Sequence, residues 1–280
     1  MLPATIVDAA GEPANAVHGF ADFLADFLAR VGPTHCALVF DESLESSLRH
    51  AIDPGYKANR TPAPPELRQQ FQRCRELGQA IGMPVLSSPR FEADDVLATV
   101  AQYLRARGFR HTVVTGDKDL AQLIGPGDIW WDFQRERQLD ARGVERHFGV
   151  RPDQIADMLA LAGDKIDNIP GVPGIGQATA VRLLRRWGDL EGLYASLDRV
   201  ATMQLRGARR IAELLAEHEA TVRHARRLTG MLHAEPFAPE PSAYRRRDAD
   251  GHALSACLDH LAAGAAQRAH WQTAFVGHTR

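Results

Sequence analysis

Short apolar runs alternate with amphipathic stretches through the first half of the chain. A short apolar run bounded by polar or turn-forming residues predicts a strand, whereas apolar residues recurring every three or four positions predict a helix. By these rules the predicted order is a strand at TIVD, a helix over about 16–31, a strand at CALVFD, a helix over about 66–82, a strand at MPVLS, a helix over about 94–108, a strand at HTVVTGD, a short helix at DLAQLI and a strand at DIWWDF. This alternation predicts an α/β domain whose parallel sheet carries helices on both faces.

The pattern changes near residue 151, after which it predicts helices alone. They are PDQIADMLALAG, ATAVRLLRRWG, LEGLYASL and a long amphipathic stretch over about 208–229. A Pro-rich linker, AEPFAPEPSAY, follows, and residues 242–280 contain one predicted helix, ALSACLDHLAAG, between polar flanks. We therefore divide the chain into an α/β domain over 1–150, a helical subdomain over 151–233, and a linker with an extension over 234–280, to which the sequence assigns no role.

A polar insertion over about 43–65 separates the second predicted strand from the second predicted helix. At the carboxyl edge of a parallel sheet, such an insertion overhangs the crevice where ligands bind. It contains the string YKANR, in which Lys57 and Arg60 are three residues apart and are expected on one helical face, while Tyr56 is suited to stacking on a base or sugar. Alone, the triplet is more typical of a solvated face. Its place above the crevice makes it a candidate phosphate clamp.

Acidic residues recur in short clusters over the first 167 positions, and several clusters directly follow predicted strands. Any one cluster is explained by the preference of Asp for turns and helix starts. Five clusters in matching contexts instead predict carboxylates that converge on one crevice, where their mutual repulsion raises pKa values or requires cations such as Mg²⁺ or Mn²⁺. The residues are Asp8, Asp41, Glu92, Asp94, Asp95, Asp117, Asp119, Asp164 and Asp167.

The string GVPGIGQATAVRLL predicts a glycine-rich turn that opens a helix. Gly171, Gly174 and Gly176 allow a tight hairpin whose backbone N–H groups approach a phosphate, and carbonyls of the same turn are potential ligands of a monovalent cation. Such a grip reads the nucleic-acid backbone rather than its base sequence. An ordinary helix-helix turn has the same composition, but this one directly follows Asp164 and Asp167.

Charge and cysteine content narrow the class of protein. The net charge is only −2, yet residues 182–227 hold ten arginines and six acidic residues, a net charge of +4 that leaves −6 for the remainder. A phosphate-binding half beside a metal-binding half would give this asymmetry, and so would solvated helices. Three widely spaced cysteines exclude a disulfide framework and a CxxC zinc site. With no signal-peptide pattern and no apolar run of membrane-spanning length, we expect a cytoplasmic protein without a membrane partner.

Taken together, these strings resemble the 5′-nuclease domain of bacterial DNA polymerase I and its stand-alone relatives in the flap endonuclease superfamily. The matching strings are VFD, YKANR, FEADD, TGDKDLAQL, ALAGDKIDNIPGVPGIG and RGA, and the resemblance covers about residues 1–233. It implies a PIN-like (resolvase-like) parallel sheet with helices on both faces, a helical arch or clamp, and a helical helix-hairpin-helix subdomain that holds duplex DNA. The resemblance further implies an activity in which two divalent metal ions catalyse the hydrolysis of a phosphodiester near the 5′ end of a branch.

The resemblance also implies roles for individual residues. All nine carboxylates match metal ligands or metal-shell residues of the family, and Tyr56, Lys57 and Arg60 match the arch-base residues that approach the cleaved phosphate. The DNA-binding hairpin, with a potassium ion as a further candidate, corresponds to Gly171, Val172, Gly174, Ile175, Gly176 and Gln177.

Two departures from the family pattern stand out. Relatives carry a helix with serine, tyrosine and arginine after the residue that matches Asp8, whereas here AAGEP follows Asp8 at once. Relatives usually have lysine where this chain has Ala178, which removes one phosphate contact. Residues match on both sides of the first gap, so a displaced start of the chain does not explain it.

Three functions are compatible with these observations. The first is a monomeric, Mg²⁺- or Mn²⁺-dependent 5′-3′ exonuclease and flap endonuclease that acts on DNA with a 5′ flap, nick, gap or free 5′ end. The second is a structure-specific DNA-binding protein whose nuclease activity is reduced or lost because the helix after Asp8 is missing. The third, a PIN-type RNase, leaves the hairpin and the arch unexplained.

Overall fold

The structure is a computed structural model that describes residues 5–42, 47–232 and 240–276. Residues 43–46 of the predicted insertion and 233–239 of the predicted linker lie outside the described residues. The described strands are β1 (Leu38–Val39), β2 (Val85–Leu86), β3 (Thr112–Val114), β4 (Ile129–Asp132) and β5 (Arg137–Leu139). The described α-helices are α1 (Asn15–Val31), α2 (Leu48–Ile52), α3 (Pro65–Ala80), α4 (Ala93–Arg105), α5 (Ala141–Phe148), α6 (Ile155–Ala162), α7 (Gln177–Trp187), α8 (Leu190–Tyr194), α9 (Leu197–Val200), α10 (Ala208–Glu217), α11 (Glu219–Thr229), α12 (Gly251–Leu261) and α13 (Ala265–Val276).

The chain forms two compact units, each with a hydrophobic core of its own. The described part of unit 1 comprises residues 5–42, 61–88 and 240–276, and that of unit 2 comprises residues 47–60 and 89–232. None of the helices in the described ranges is both long and apolar enough to cross a membrane.

Unit 1 is built around the parallel pair β1–β2 and four helices. Leu38 lies opposite Val85 in the pair, α3 contacts α1, and the two helices of the predicted extension pack on them, α13 on α1 and α12 on α3. Trp271 and Phe275, four residues apart on α13, are fully buried, and the Trp271 indole N–H donates to Asp22 Oδ1 at 2.7 Å. The extension is therefore part of this unit's core.

The helix α13 was not predicted, because its apolar pattern is weak: two large side chains four residues apart carry most of its burial. The predicted linker is largely outside the described residues, and its end forms a short 3₁₀ helix, Pro241–Tyr244, with Tyr244 buried.

The prediction of a strand at TIVD is wrong. Val7 makes a single antiparallel bridge to Pro13, and the chain turns back at once. The Asp8 N–H donates to the Glu12 carbonyl at 2.8 Å and the Gly11 N–H to the Asp8 carbonyl at 3.0 Å. Helix α1 then begins two residues after Pro13, so no further helix separates Asp8 from α1 in the described chain.

Unit 2 combines a three-stranded sheet with a helical layer. Strand β4 pairs with β3 in parallel and with β5 in antiparallel, and β5 was not among the predicted strands. Helix α6 is buried almost throughout and packs against α7 and α11. The predicted helix over 208–229 is two helices, because the chain leaves helical geometry at His218 (φ −105°, ψ 15°).

Candidate active site

A small cavity in unit 2 is lined by four of the predicted carboxylates. Asp94 lies in the first turn of α4, Asp119 begins the 3₁₀ helix that follows β3, and Asp164 and Asp167 lie in the loop after α6. Each follows or begins an element, so its side chain projects from the end of that element. The pattern of acidic residues at element ends therefore does bring these four groups together.

Asp119 is the most perturbed of these carboxylates. Burial raises the pKa of Asp119 to about 6; the Lys118 ammonium opposes this shift, while the negative charges of Asp117, Asp164 and Asp167 add to it. Its Oδ1 atom is buried and accepts no hydrogen bond from any described residue. A partly buried carboxylate with one buried, unsatisfied oxygen and three acidic neighbours is a group that a divalent cation would stabilise.

We expect Asp119→Asn to stabilise the metal-free protein at pH 7. The folded pKa of Asp119 lies above the ordinary pKa of an aspartate, so the folded state binds more protons between pH 4 and 6 and loses stability as the pH rises through that range. With 23% of the side chain exposed, the gain should be roughly 2 kcal/mol. Urea unfolding in EDTA at pH 4.5 and pH 7 measures it. Asp198→Asn, at an exposed site, is the control and should show no such gain; an equal gain there would refute the assignment.

Lys118 neutralises the other buried carboxylate of the cavity. Its Nζ lies 2.8 Å from Asp164 Oδ2 and 3.6 Å from Asp119 Oδ1. Burial would raise the pKa of Asp164, but Lys118 and the N–H groups of Ile166 and Asp167 lower it overall. The Asp117 carboxylate instead accepts the Asp119 N–H at 2.9 Å, which fixes the start of the 3₁₀ helix.

Glu92, at 3% exposure, is held by cations and hydroxyls of its own unit. Its Oε2 accepts from Lys57 Nζ at 2.8 Å and from the Tyr56 hydroxyl at 3.1 Å, and its Oε1 accepts from Ser47 Oγ at 3.1 Å. Burial alone would raise the pKa of Glu92, but the charges of Lys57 and Arg49 lower it below its ordinary value. Glu92 is therefore ionised and faces the clamp residues.

Asp95 has a different environment from its neighbour Asp94. It is 1% exposed and makes a bidentate ion pair with Arg49, with contacts of 2.6 and 2.8 Å. Its Oδ1 also accepts the Leu232 N–H at 2.8 Å. Arg49 in turn donates to the Leu228 and Gly230 carbonyls at the end of α11. Asp95 thus joins α4, α2 and the end of α11, and its acceptor positions are largely occupied.

The clamp triplet is not helical, contrary to the prediction. Residues 53–60 form successive turns, and Lys57 lies in the left-handed region with φ 54°. Lys57 and Arg60 nevertheless both reach carboxylates, because the turn brings Lys57 to Glu92 and Arg60 to Asp167. Tyr56 is buried, and its hydroxyl lies 3.3 Å from Asp167 Oδ2 as well as near Glu92.

The two remaining predicted carboxylates belong to unit 1. Asp41 follows β1, and its carbonyl accepts a hydrogen bond from Arg75. Asp8 Oδ1 accepts the N–H groups of Ala10 and Glu12 at 2.8 and 2.9 Å, and Asp8 Oδ2 lies 2.9 Å from Nε2 of His260 on α12. Asp8 therefore closes a turn and pairs with the predicted extension.

The glycine-rich string forms the predicted turn at the start of α7. The N-cap Gly176 has φ −91° and ψ 177° and no side chain caps it, so the first-turn N–H groups lack a capping acceptor. Of the glycines in the turn, Gly174 has positive φ (80°), whereas Gly171 is required by packing, since an added Cβ would lie 2.3 Å from Ala162 C. The side chains of Val172 and Ile175 are buried in the core, so any contact they make with DNA would be through the backbone.

Gly176→Val is expected to leave unit 2 folded and to weaken binding to duplex DNA of any sequence by about tenfold. An added Cβ at Gly176 meets no atom within 4 Å, and its backbone angles suit a β-branched residue, so the side chain would obstruct only an approaching phosphate. Fluorescence anisotropy with two unrelated duplexes measures the effect. The comparison variant Gly171→Ala should unfold or strongly destabilise the protein. Unchanged affinity in folded Gly176→Val would remove the turn from the DNA interface.

Lys118, Arg49, Asn59 and Asn168 were not identified from the sequence. For Lys118 a signal was present: the chain has 33 basic residues, and its lysines are Lys57, Lys118 and Lys165. In a chain so rich in arginine, a lysine at one of these positions indicates a site that accepts a compact ammonium group but not the planar guanidinium of arginine. Arg49 lies in the polar insertion, where no periodicity distinguishes it from a solvated arginine.

The carboxylates of unit 2 form a suitable donor set for hard divalent cations, although they are presently held by protein cations. Among the described residues, no three Asp, Glu, His or Cys side chains converge on one point as metal ligands. The four carboxylates of the cavity nevertheless offer oxygen donors, including the unsatisfied Asp119 Oδ1, and oxygen donors are what Mg²⁺ and Mn²⁺ take. The residues fit such ions in chemistry, provided that Lys118 moves aside.

Family models match both parts of the chain. Residues 1–149 match a model described as 5′-3′ exonuclease, N-terminal resolvase-like domain, and residues 150–252 match one described as 5′-3′ exonuclease, C-terminal SAM fold. These descriptions agree with the predicted fold class, a resolvase-like α/β domain and a helical domain.

Curated relatives agree with the family models, and solved structures agree with the fold. The chain is 36% identical over 241 residues to DNA polymerase I of Bacillus caldotenax, covering 84% of this chain and 27% of that protein, and 40% identical over 209 residues to DNA polymerase I of Pseudomonas aeruginosa, covering 74% and 23%. It thus spans about a quarter of the length of these relatives. Its fold is similar to that of T5 5′-exonuclease with bound divalent metal ions (zinc), with a TM-score of 0.63 and 19% identity over 95% of this chain and 92% of that one. It is also similar to the catalytic core of Rad2 in complex with DNA substrate, with a TM-score of 0.63 and 14% identity over 96% of this chain and 86% of that one.

Proposed function

Because this chain belongs to the 5′-3′ exonuclease family of nucleases, we propose that it hydrolyses DNA phosphodiesters at 5′ flaps, nicks, gaps and free 5′ ends with two divalent metal ions. The T5 and Rad2 structures, with their bound metal ions and DNA substrate, support metal and DNA as its ligands. We further propose that it acts as a monomer in the cytoplasm, where its three free cysteines would stay reduced.

The observation that carries this proposal is the carboxylate-lined cavity of unit 2 with the buried, unsatisfied Asp119. Such crowding of carboxylates destabilises the protein unless a cation compensates it. When bound, Mg²⁺ or Mn²⁺ would supply the Lewis acidity that activates water and stabilises the departing oxygen. We assign the holding of these ions to Glu92, Asp94, Asp117, Asp119, Asp164 and Asp167. Asp95, which is bound by Arg49, positions α4 instead.

The chain's own cations act on the substrate. Lys57 and Arg60 contact the carboxylates from the clamp side, so a phosphate at the cavity would meet both cations. Positive charge fixed there stabilises the charge that develops on the phosphate oxygens during cleavage. Tyr56 is fully packed, so its role is to orient Glu92 and Asp167 rather than to stack on a base.

Duplex binding is assigned to the uncapped N-terminus of α7 and to the exposed arginines around it. The turn offers backbone N–H groups to a phosphate, and its carbonyls are suited to a potassium ion that bridges to the DNA backbone. Arginines on α7 and α10 and in the segment between them are exposed and extend the basic surface: Arg182, Arg185, Arg186, Arg206, Arg209 and Arg210.

The test is cleavage of a 5′-labelled flap by the purified protein. We expect a Mg²⁺- or Mn²⁺-dependent product near the branch that EDTA abolishes, with the matched single strand and blunt duplex as substrate controls. The Asp117→Asn protein, purified in parallel by the same procedure, should not cleave the flap, which would exclude a contaminating nuclease. Cleavage that persists in EDTA, or equal cleavage by both proteins, would contradict the proposal.

One observation favours the second candidate, a DNA-binding protein with reduced activity. Asp8 is engaged in a tight turn and paired with His260, and α1 follows without the helix that relatives have there. Flap binding with wild-type-like affinity, without cleavage in either metal, would identify this function. Cleavage of RNA but not of DNA flaps would identify the PIN-type RNase.

A further inference from the structure

Two loops of unit 2 are joined by a reciprocal set of hydrogen bonds. The clamp turn is residues 53–60, and the acidic loop is residues 164–169. Asn59 Nδ2, on the clamp turn, donates to the Lys165 carbonyl at 2.8 Å, and Asn168 Nδ2, on the acidic loop, donates to the Gly55 carbonyl at 2.7 Å. Between them the Lys57 N–H donates to the Asp167 carbonyl at 2.9 Å.

The three bonds hold segments that lack helical or strand structure. Within the acidic loop, Asp164 and Ile169 exchange backbone hydrogen bonds of 2.9 and 2.8 Å, so the loop is closed on itself. The clamp turn is tethered at its start by Asp53, whose Oδ2 lies 2.9 Å from His224 Nε2 on α11. The remainder of the turn is held by these bonds to the acidic loop, by the buried Tyr56, and by the contacts of Tyr56 and Lys57 with Glu92. Asn168 has φ 56°, a conformation that asparagine tolerates better than most residues.

We propose that Asn59 and Asn168 are positioning residues that lock the clamp turn to the acidic loop. The lock fixes Lys57 and Arg60, which meet the phosphate, relative to Asp164 and Asp167, which would hold metal. This inference rests on the proposed function, because it assigns those two roles to the two loops. Neither asparagine contacts the phosphate or the metal; each acts by holding the residues that do.

The lock itself is tested by hydrogen exchange, which does not depend on activity. Asn59→Ala, a change in the clamp turn, should speed amide exchange in the acidic loop. Asn168→Gly, which removes the amide side chain while keeping the left-handed backbone, should speed exchange at Lys57. Amides of β4 should be unaffected in both. Thr202→Ala, which removes one exposed hydrogen bond to the Arg199 carbonyl elsewhere in unit 2, is the matched control. Exchange that rises only in the mutated segment overturns the lock.

The positioning role is tested by single-turnover cleavage of a flap at saturating enzyme. Asn59→Ala should slow the rate on the order of tenfold in the wild-type background, since small misplacement of a reacting group costs that much or more. The affinity for the flap and the unfolding midpoint should match those of Thr202→Ala. In a Lys57→Ala, Arg60→Ala background the same change should cost less than about twofold, because the groups that it positions are gone.

The outcomes separate the two proposals. Equal fold-losses from Asn59→Ala in both backgrounds would show that Asn59 does not act through Lys57 and Arg60 and would overturn the positioning role. If the wild-type protein does not cleave any flap, the proposed function fails, while the exchange experiment still decides whether the lock exists.

Discussion

Asp119→Asn is expected to lower the single-turnover rate of flap cleavage by at least about a thousandfold while leaving flap affinity equal or slightly higher. The substitution removes one negative charge from the carboxylates that would hold metal, and it also reduces their repulsion of the phosphodiester. It should therefore act on the chemical step alone. Rates with saturating enzyme in Mg²⁺, and affinities by anisotropy in EDTA, measure the two quantities separately.

This variant should be more stable and yet inactive, because the partly buried charge that destabilises the metal-free protein is the charge that we assign to metal binding. Asp198→Asn, the exposed control, should change neither the rate nor the stability. A rate for Asp119→Asn within tenfold of wild type would refute the assignment of Asp119 to the metal site.

Lys57→Ala is expected to slow the chemical step by about a hundredfold and to change flap affinity by less than about twofold. Lys57 is a single cation, 10% exposed and directed at Glu92, so it contributes most where charge develops during cleavage. In the proposed function, duplex affinity comes from the N-terminus of α7 and the exposed arginines around it, not from Lys57. Single-turnover rates and anisotropy with the same flap distinguish the two effects.

Lys165→Ala is the matched control for this prediction. It removes a lysine from the adjacent acidic loop, where the side chain is exposed and the carbonyl, not the ammonium, contacts Asn59. Its rate should stay near that of wild type. Equal rates for Lys57→Ala and wild type would mean that Lys57 only balances the charge of Glu92.

Much of the fold was predictable because the spacing of apolar residues along the sequence indicates which face of a helix or strand is buried. The strands and long helices from residue 38 to residue 200 follow the predicted order, but β5 and the short helices α2, α5 and α9 were not predicted; the comparisons confirm the fold class. The strand at TIVD failed because a β-branched run needs a neighbouring strand, and the turn closed by Asp8 removes the chain from any such pairing. Helix α13 was missed because two buried aromatic residues four apart do not make a recognisable period.

The site was predictable to a smaller extent. Of the nine acidic residues predicted to converge, four line the cavity, whereas Asp8 and Asp41 belong to unit 1 and the other three do not line it. The partners of each carboxylate were not predictable. Glu92, Asp94 and Asp95 are near neighbours in sequence. Even so, Arg49 donates two hydrogen bonds to Asp95, whereas Lys57 donates to Glu92. These differences come from residues 35 to 46 positions away, and no local pattern records them.

The scarcity of lysine has a practical consequence for probing the protein in solution. Lys57, Lys118 and Lys165 all border the carboxylates of unit 2, so the only side-chain amines that an acylating reagent would label, besides the α-amino group of the chain, lie in that region. Lys165, whose side chain is exposed, should react first. Lys118 should react slowly, because its ion pairs raise the pKa of its ammonium and leave less free amine. Occupancy of the carboxylates by a divalent ion would release Lys118 and speed its acylation, so mass spectrometry of one peptide would report metal binding without any substrate.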